Sequence, residues 1–200
     1  QRKAVEAPDG PVLVLAGPGS GKTRVLTHRA AYLVQARGIA PRSIMAVTFT
    51  NKAAREMRER LDKLLGASGA GELTLGTFHA ICARFLRREA PHIGLSREFA
   101  IYDDDDQLAL VKQAVRALNL NDKQYKPNVI QNQISQAKSE LILPEQYQPK
   151  TYADEITRRV YERYQQLLKE NNALDFDDLL MQAVLLFDRQ PAVLRYYQQR

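Results

Sequence analysis

The run Ala16-Gly17-Pro18-Gly19-Ser20-Gly21-Lys22-Thr23 carries the residue types that hold a phosphate chain. Glycines let backbone N–H groups curl around an anion, and a helix starting at their end adds its positive dipole end. Lys22 is placed to reach β- and γ-phosphates, and Thr23 to put its hydroxyl on Mg²⁺. The full P-loop pattern has glycine where this chain has Ala16, while Gly19-x-Gly21-Lys22-Thr23 is intact. A glycine-rich strand-to-helix turn without a ligand is the alternative. Context and spacing favour the phosphate reading.

Two further stretches carry candidate chemistry. Thr48-Phe49-Thr50-Asn51-Lys52 and Gly76-Thr77-Phe78-His79 each set a threonine, a ring and a polar or cationic residue behind an apolar run. An exposed ring there can stack on a base, and Thr, Asn or His can contact phosphate. The alternative is a pair of core phenylalanines and a structural histidine. Two such sites on neighbouring strand ends would make a track for a single nucleic-acid strand.

These residues need elements to position them. Val12 to Leu15 reads as a strand before the loop, and Thr23 to Ala36 as the helix after it, ending near Gly38. Ile44 to Phe49 is a short continuous apolar run, the form of a buried parallel strand. Thr50-Asn51 opens a helix to Leu65 with Ala54, Met57, Leu61, Leu64 and Leu65 as its stripe. Gly66 to Gly71 reads as a loop, Leu73 to Thr77 as a third strand and Phe78 to Arg88 as a helix. Strand, loop and helix repeated in this way predict an α/β fold with a parallel sheet and ligands at the carboxyl ends of the strands.

After residue 88 the pattern changes. Phe99 to Tyr102 reads as one more short strand, and helices alone are expected from there. They are placed from Asp103, over Pro127–Leu141, briefly from Pro144, over Tyr152–Asn171 and Asp175–Phe187, and from Pro191. Asp103 to Asp106 reads as a helix cap, not a metal site, and Asp175 as an N-cap answered by Asp178.

The chain is 44% hydrophobic, as soluble globular proteins are, and its net charge of +6 suggests an acidic partner such as nucleic acid. Cys82 is the only cysteine, so no internal disulfide forms, which fits a reducing, cytoplasmic setting. No signal peptide and no membrane-length apolar run is found. A start at Gln1 and a stop in Tyr196-Tyr197-Gln198-Gln199-Arg200 suggest a piece of a longer protein.

Five stretches occur in series: Gln1 to Val5, Ala16 to Arg24, Val47 to Ala54 with Glu56-Met57-Arg58, Gly76 to His79, and Leu174 to Leu179. In that order they resemble superfamily I DNA helicases of the UvrD/PcrA/Rep type, over essentially the whole chain. The family commonly has alanine at the position of Ala16. The resemblance implies ATP with Mg²⁺ as cofactors and gives Gln1 the role of reading adenine. It places Arg24 and Arg60 near the nucleotide. It assigns Phe49, Thr50, Asn51, Thr77, Phe78 and His79 to single-stranded DNA. It implies a RecA-like domain in residues 1–102, a helical insertion in 103–174, and helices in 175–200 leading back.

The parent implied by the resemblance is an ATP-driven helicase that translocates 3′ to 5′ and unwinds duplex at single-strand/double-strand junctions, in DNA repair or replication. Its alternatives are a helicase–nuclease subunit and, for these residues alone, a non-hydrolysing nucleotide- and DNA-binding module. Hydrolysis needs an acidic strand end for Mg²⁺ and an arginine from a second motor domain. No apolar strand ending in Asp-Glu follows Thr23, so residues 1–200 alone are expected to be inactive.

Overall fold

A computed structural model describes the backbone of residues 1–200 and every side chain but those of residues 67 and 68. The chain divides into two compact units, residues 1–81 with 196–200, and residues 82–195.

The first unit opens with α1 (Arg2–Val5) and reaches α2 (Lys22–Gln35) through an irregular segment. Then come β1 (Met45–Thr48), α3 (Asn51–Glu72), β2 (Thr74–Thr77) and the start of α4 (Phe78–Arg88). β1 and β2 pair in parallel, from Met45 opposite Thr74 to Thr48 opposite Thr77. A parallel pair needs a long crossover, and α3 supplies it. Ala54, Met57 and Leu61 of the expected stripe are buried with Ala30, Ala70, Leu73 and Leu75.

Two expectations fail here. Val12 to Leu15 form no strand; they are irregular, and Leu13 and Leu15 are 84% and 87% exposed. A strand exists only through its ladder, and among the described residues no segment pairs with this one. Gly66 to Gly71 is not a loop. The helix breaks at Gly66, where φ is 76° and ψ 157°, and resumes to Glu72. Small residues do not forbid helix, so only the glycine with positive φ interrupts it.

The second unit continues through β3 (Ala100–Tyr102), α5 (Asp104–Ala117), α6 (Pro127–Ser139), α7 (Tyr152–Glu170), β4 (Ala173–Asp175), α8 (Phe176–Arg189) and most of α9 (Pro191–Gln198). β4 is absent from the sequence reading. It pairs in parallel with β3, Ala100 opposite Ala173 and Tyr102 opposite Asp175, so a small sheet lies in this helical unit. The whole is mixed α/β with two small parallel sheets rather than one larger one. Ile156, Val160, Tyr164 and Leu167 of α7 are buried against Val111, Ala114 and Val115 of α5.

Carboxylates serve as caps, as read from the sequence. Asp103 with Asp106 and Asp175 with Asp178 form reciprocal capping boxes at the starts of α5 and α8. Asp175 and Asp178 also meet Lys138 of α6, whose ammonium lies 2.6 Å and 2.9 Å from them with all three side chains buried. The Tyr164 hydroxyl donates to the same Asp175 oxygen at 2.7 Å. Burial and the Asp175 charge push that hydroxyl up in pKa, so it remains a donor. Burial alone would lower the Lys138 ammonium, but the two carboxylates raise it.

Two acids against one base leave a buried excess of negative charge. Burial pushes the Asp178 carboxyl up to about 6, against the pull of Lys138 and with the push of Asp175. The folded value lies above the ordinary 3.8, so protonation favours the folded unit. That contribution is complete below the ordinary carboxylate range and is lost as pH rises through about 6. Asp178→Asn is therefore expected to flatten the stability curve between about pH 4 and 6 in denaturant titrations. Lys138→Met leaves two buried carboxylates uncompensated and is expected to cost about 3–5 kcal/mol in the same titrations.

Candidate nucleotide cleft and aromatic pair

The loop before α2 is shaped by its glycines. Gly19 and Gly21 have φ of 74° and 83°, the left-handed region that other residues avoid. The Gly17 carbonyl accepts from three donors: Ser20 N at 3.3 Å, Ser20 Oγ at 2.6 Å and Lys22 Nζ at 2.8 Å. These bonds curl residues 17–22 into a tight arc with the Lys22 ammonium folded back on it. The Val25 amide is the first to bond back along α2, to Gly21 O at 3.0 Å. The amides before it have no acceptor within the helix and are available to an anion. Ala16 is half-buried, and Gly17, Pro18, Gly19 and Ser20 are exposed.

Gln1 stands against this loop. Its Nε2 donates to Ser20 O at 2.9 Å. A Cβ on Gly21 would lie 2.8 Å from that nitrogen, so Gly21 serves both the backbone turn and the approach of Gln1.

A cleft of about 650 Å³ runs from the loop between α2 and α3, lined by Lys22, Thr23, Arg24, His28, Arg60 and Lys63 among others. A smaller cleft of about 230 Å³ is lined by Gln1, Arg2, Val5, Arg24, Val25 and His28. Among the described residues no acid lines either. Arg60 lies 3.8 Å from Glu56 in an exposed pair of little energetic weight. Lys22, Thr23, Arg24 and Arg60 are site residues expected from the sequence; His28 and Lys63 are additions from the structure. Spacing held the signal: His28 follows Arg24 by four residues and Lys63 follows Arg60 by three, each one turn along a helix.

Amides and cations without acids suit a phosphate chain. The donor set for a divalent metal is thinner. Thr23 offers one hydroxyl oxygen, and among the described residues no group of three or more His, Cys, Asp or Glu could hold a metal ion. A metal here would take most of its ligands from phosphate oxygens.

The second candidate region follows from the β1–β2 register. Because Thr48 lies opposite Thr77, the next residues, Phe49 and Phe78, leave the sheet side by side. Their ring centroids are 5.7 Å apart with planes tilted by 47°. Phe49 is 88% exposed and Phe78 47%, so neither is a core ring. Thr50 Oγ1 accepts from Ala53 N at 3.1 Å and caps α3; Thr77 Oγ1 accepts from Ala80 N at 3.2 Å and is buried. Both hydroxyls thus hold helix starts. Asn51 is exposed at the first position of α3, and His79 is half-buried. Asn51, Arg55 and Arg58 line a further cleft of about 470 Å³ along α3.

The charge is unevenly spread. Residues 1–81 hold 12 Lys and Arg against 6 Asp and Glu, whereas residues 82–200 hold 17 of each. The whole excess lies in the unit that carries the loop and the rings.

A family model described as the UvrD/REP helicase N-terminal domain matches residues 1–200. The chain is 48% identical over 202 residues to the ATP-dependent DNA helicase PcrA of Bacillus subtilis (strain 168), covering 100% of this chain and 27% of that protein. Against the PcrA of Staphylococcus aureus (strain Mu50) the identity is 46%, covering 100% and 28%. Against that of Staphylococcus epidermidis it is 44%, with the same coverage. The chain spans little more than a quarter of the length of these curated relatives.

The loop geometry makes a sharp demand at one position. Gly21→Ala places a Cβ both in left-handed backbone and against Gln1. It is expected to cost about 1–2 kcal/mol of stability in chemical denaturation. It should also weaken nucleotide binding in a fluorescent-nucleotide titration by more than Gly17→Ala, whose Cβ would meet nothing within 4 Å.

Proposed function

The chain belongs to the UvrD/REP helicase N-terminal domain family, and on that premise we propose that it is the nucleotide- and DNA-contacting N-terminal portion of an ATP-dependent DNA helicase. In this reading the loop amides and Lys22 hold the β- and γ-phosphates and offset the charge on the transferring phosphoryl group. Thr23 holds Mg²⁺ through its hydroxyl, beside phosphate oxygens. Gln1 reads the adenine edge, since an amide donates and accepts at once. Arg24 and Arg60 flank the nucleotide, and Ala16, Gly17, Pro18, Gly19, Ser20 and Gly21 form its cradle.

Phe49 and Phe78 stack on the bases of a single strand, with Thr50, Asn51, Thr77 and His79 around them. The observation that carries this is the exposed ring pair in the unit that holds the net positive charge. Exposed rings are costly to leave in water, and a base offers each a matching face. Thr50 and Thr77 act chiefly by fixing the helix starts that aim the rings.

The parent protein closes a second RecA-like domain onto this one and ratchets along single-stranded DNA, 3′ to 5′, opening duplex at a junction in repair or replication. Residues 1–102 belong to the first RecA-like domain, 103–174 form a helical insertion, and 175–200 lead back. It works in the cytoplasm, on the nucleoid. Among the described residues no helix is long and apolar enough to cross a membrane. For residues 1–200 alone a second reading applies, a non-hydrolysing nucleotide- and DNA-binding module. The absence of acids from the two clefts at the loop favours it.

Binding of a labelled oligonucleotide, followed by anisotropy across a salt series, tests the track. Phe49→Ala and Phe78→Ala are each expected to lose about 1–3 kcal/mol while the salt slope stays the same. Equal affinity in folded variants would remove the rings from the DNA site. Lys22→Ala is expected to abolish nucleotide binding and leave oligonucleotide binding unchanged. Multiple-turnover, DNA-stimulated ATPase by residues 1–200 alone would overturn the non-hydrolysing reading.

A further inference from the structure

His28 lies on α2 one turn beyond Arg24 and faces the same way. Among the described residues these two alone line both clefts, the one that starts at the loop and the one that starts at Gln1. The residue between, Thr27, turns inward and gives its hydroxyl to the Thr23 and Arg24 carbonyls at 3.2 Å and 3.0 Å. The His28 ring does the opposite. It is half-buried, yet among the described residues it has no hydrogen bond and no ion pair. At half exposure its ring nitrogens are open to water or to a ligand in the clefts.

A nucleotide is joined in a fixed order: phosphates, sugar, base. With the phosphates on the loop and the base against Gln1, the nucleoside passes the residues common to both clefts. Arg24 can only donate there, whereas a neutral imidazole donates from one nitrogen and accepts at the other. Sugar hydroxyls and purine ring nitrogens need that mixture. The phosphate end is already served by Lys22, Arg60 and Lys63.

We infer that His28 is a nucleoside-contacting residue, which hydrogen-bonds the sugar–base half of the bound nucleotide and not its phosphates. The inference rests on the nucleotide reading of the loop cleft.

Calorimetric titration of the protein at the full length of its relatives tests it, with magnesium ATP and magnesium tripolyphosphate as the two probes. His28→Ala is expected to bind ATP about three- to tenfold more weakly, the loss of one hydrogen bond, and tripolyphosphate unchanged. His28→Asn, which keeps a donor and an acceptor, is expected to regain part of the ATP affinity. It also serves as the test variant should the alanine protein not fold. A loss shared equally by the two probes, a loss in neither, or no recovery with asparagine overturns the role of His28. Failure of the unsubstituted protein to bind either probe instead overturns the nucleotide reading itself.

Discussion

The parallel ladder between β1 and β2 is the constraint on which the first unit depends. Its register runs through four residue pairs and ends both strands at the same level. Everything at the aromatic site follows from that common end. Phe49 and Phe78 emerge together, and the threonines beside them start α3 and α4. A slip of one residue would turn one strand's side chains to the opposite face and separate the rings. The crossover α3 holds the ladder in register by burying Ala54, Met57 and Leu61 with Leu75 of β2. Apolar packing thereby fixes the position of a polar and aromatic surface.

The loop cleft depends on a different kind of constraint. No apolar core holds residues 17–21, which are almost all exposed. Two left-handed glycines and three donors on one carbonyl give the arc its shape. The Gln1 side chain closes it from outside. Such a structure has few buried contacts, so its stability is local and its geometry sensitive to a single methyl group. Cations gather around it and no acid among the described residues lines the cleft, which favours an anionic ligand over an empty state.

The second unit, with 16 Lys and Arg against 17 Asp and Glu, is close to neutral but keeps a charged cluster in its interior. Lys138 from α6, Tyr164 from α7 and two carboxylates at the start of α8 converge there. Asp175 belongs to β4 as well, so the cluster also reaches the β3–β4 sheet. An apolar substitute could match its stability, because burying charges costs about as much as their attraction returns. Only this arrangement, however, requires α6, α7 and α8 to meet at one position. The same carboxylates that cap α8 thus fix which helices surround it.

The contrast between what the sequence shows and what it hides follows the range of each interaction. Caps at Thr50, Asp103 and Asp175 are local, a side chain and an amide two or three residues apart, and their residue types announce them. So are the loop glycines and the apolar stripe of α3. β4 is hidden because three residues become a strand only by pairing with β3, more than 70 positions away. Val12 to Leu15 show the converse: strand-like residues that form no strand where no ladder meets them. Nothing local marks Lys138 as buried; its enclosure comes from elements distant in sequence. The role of His28 is hidden for a related reason. Its helix spacing was visible, but its significance lies in an absent partner, and only the packed structure shows that a half-buried imidazole faces two clefts with both nitrogens free.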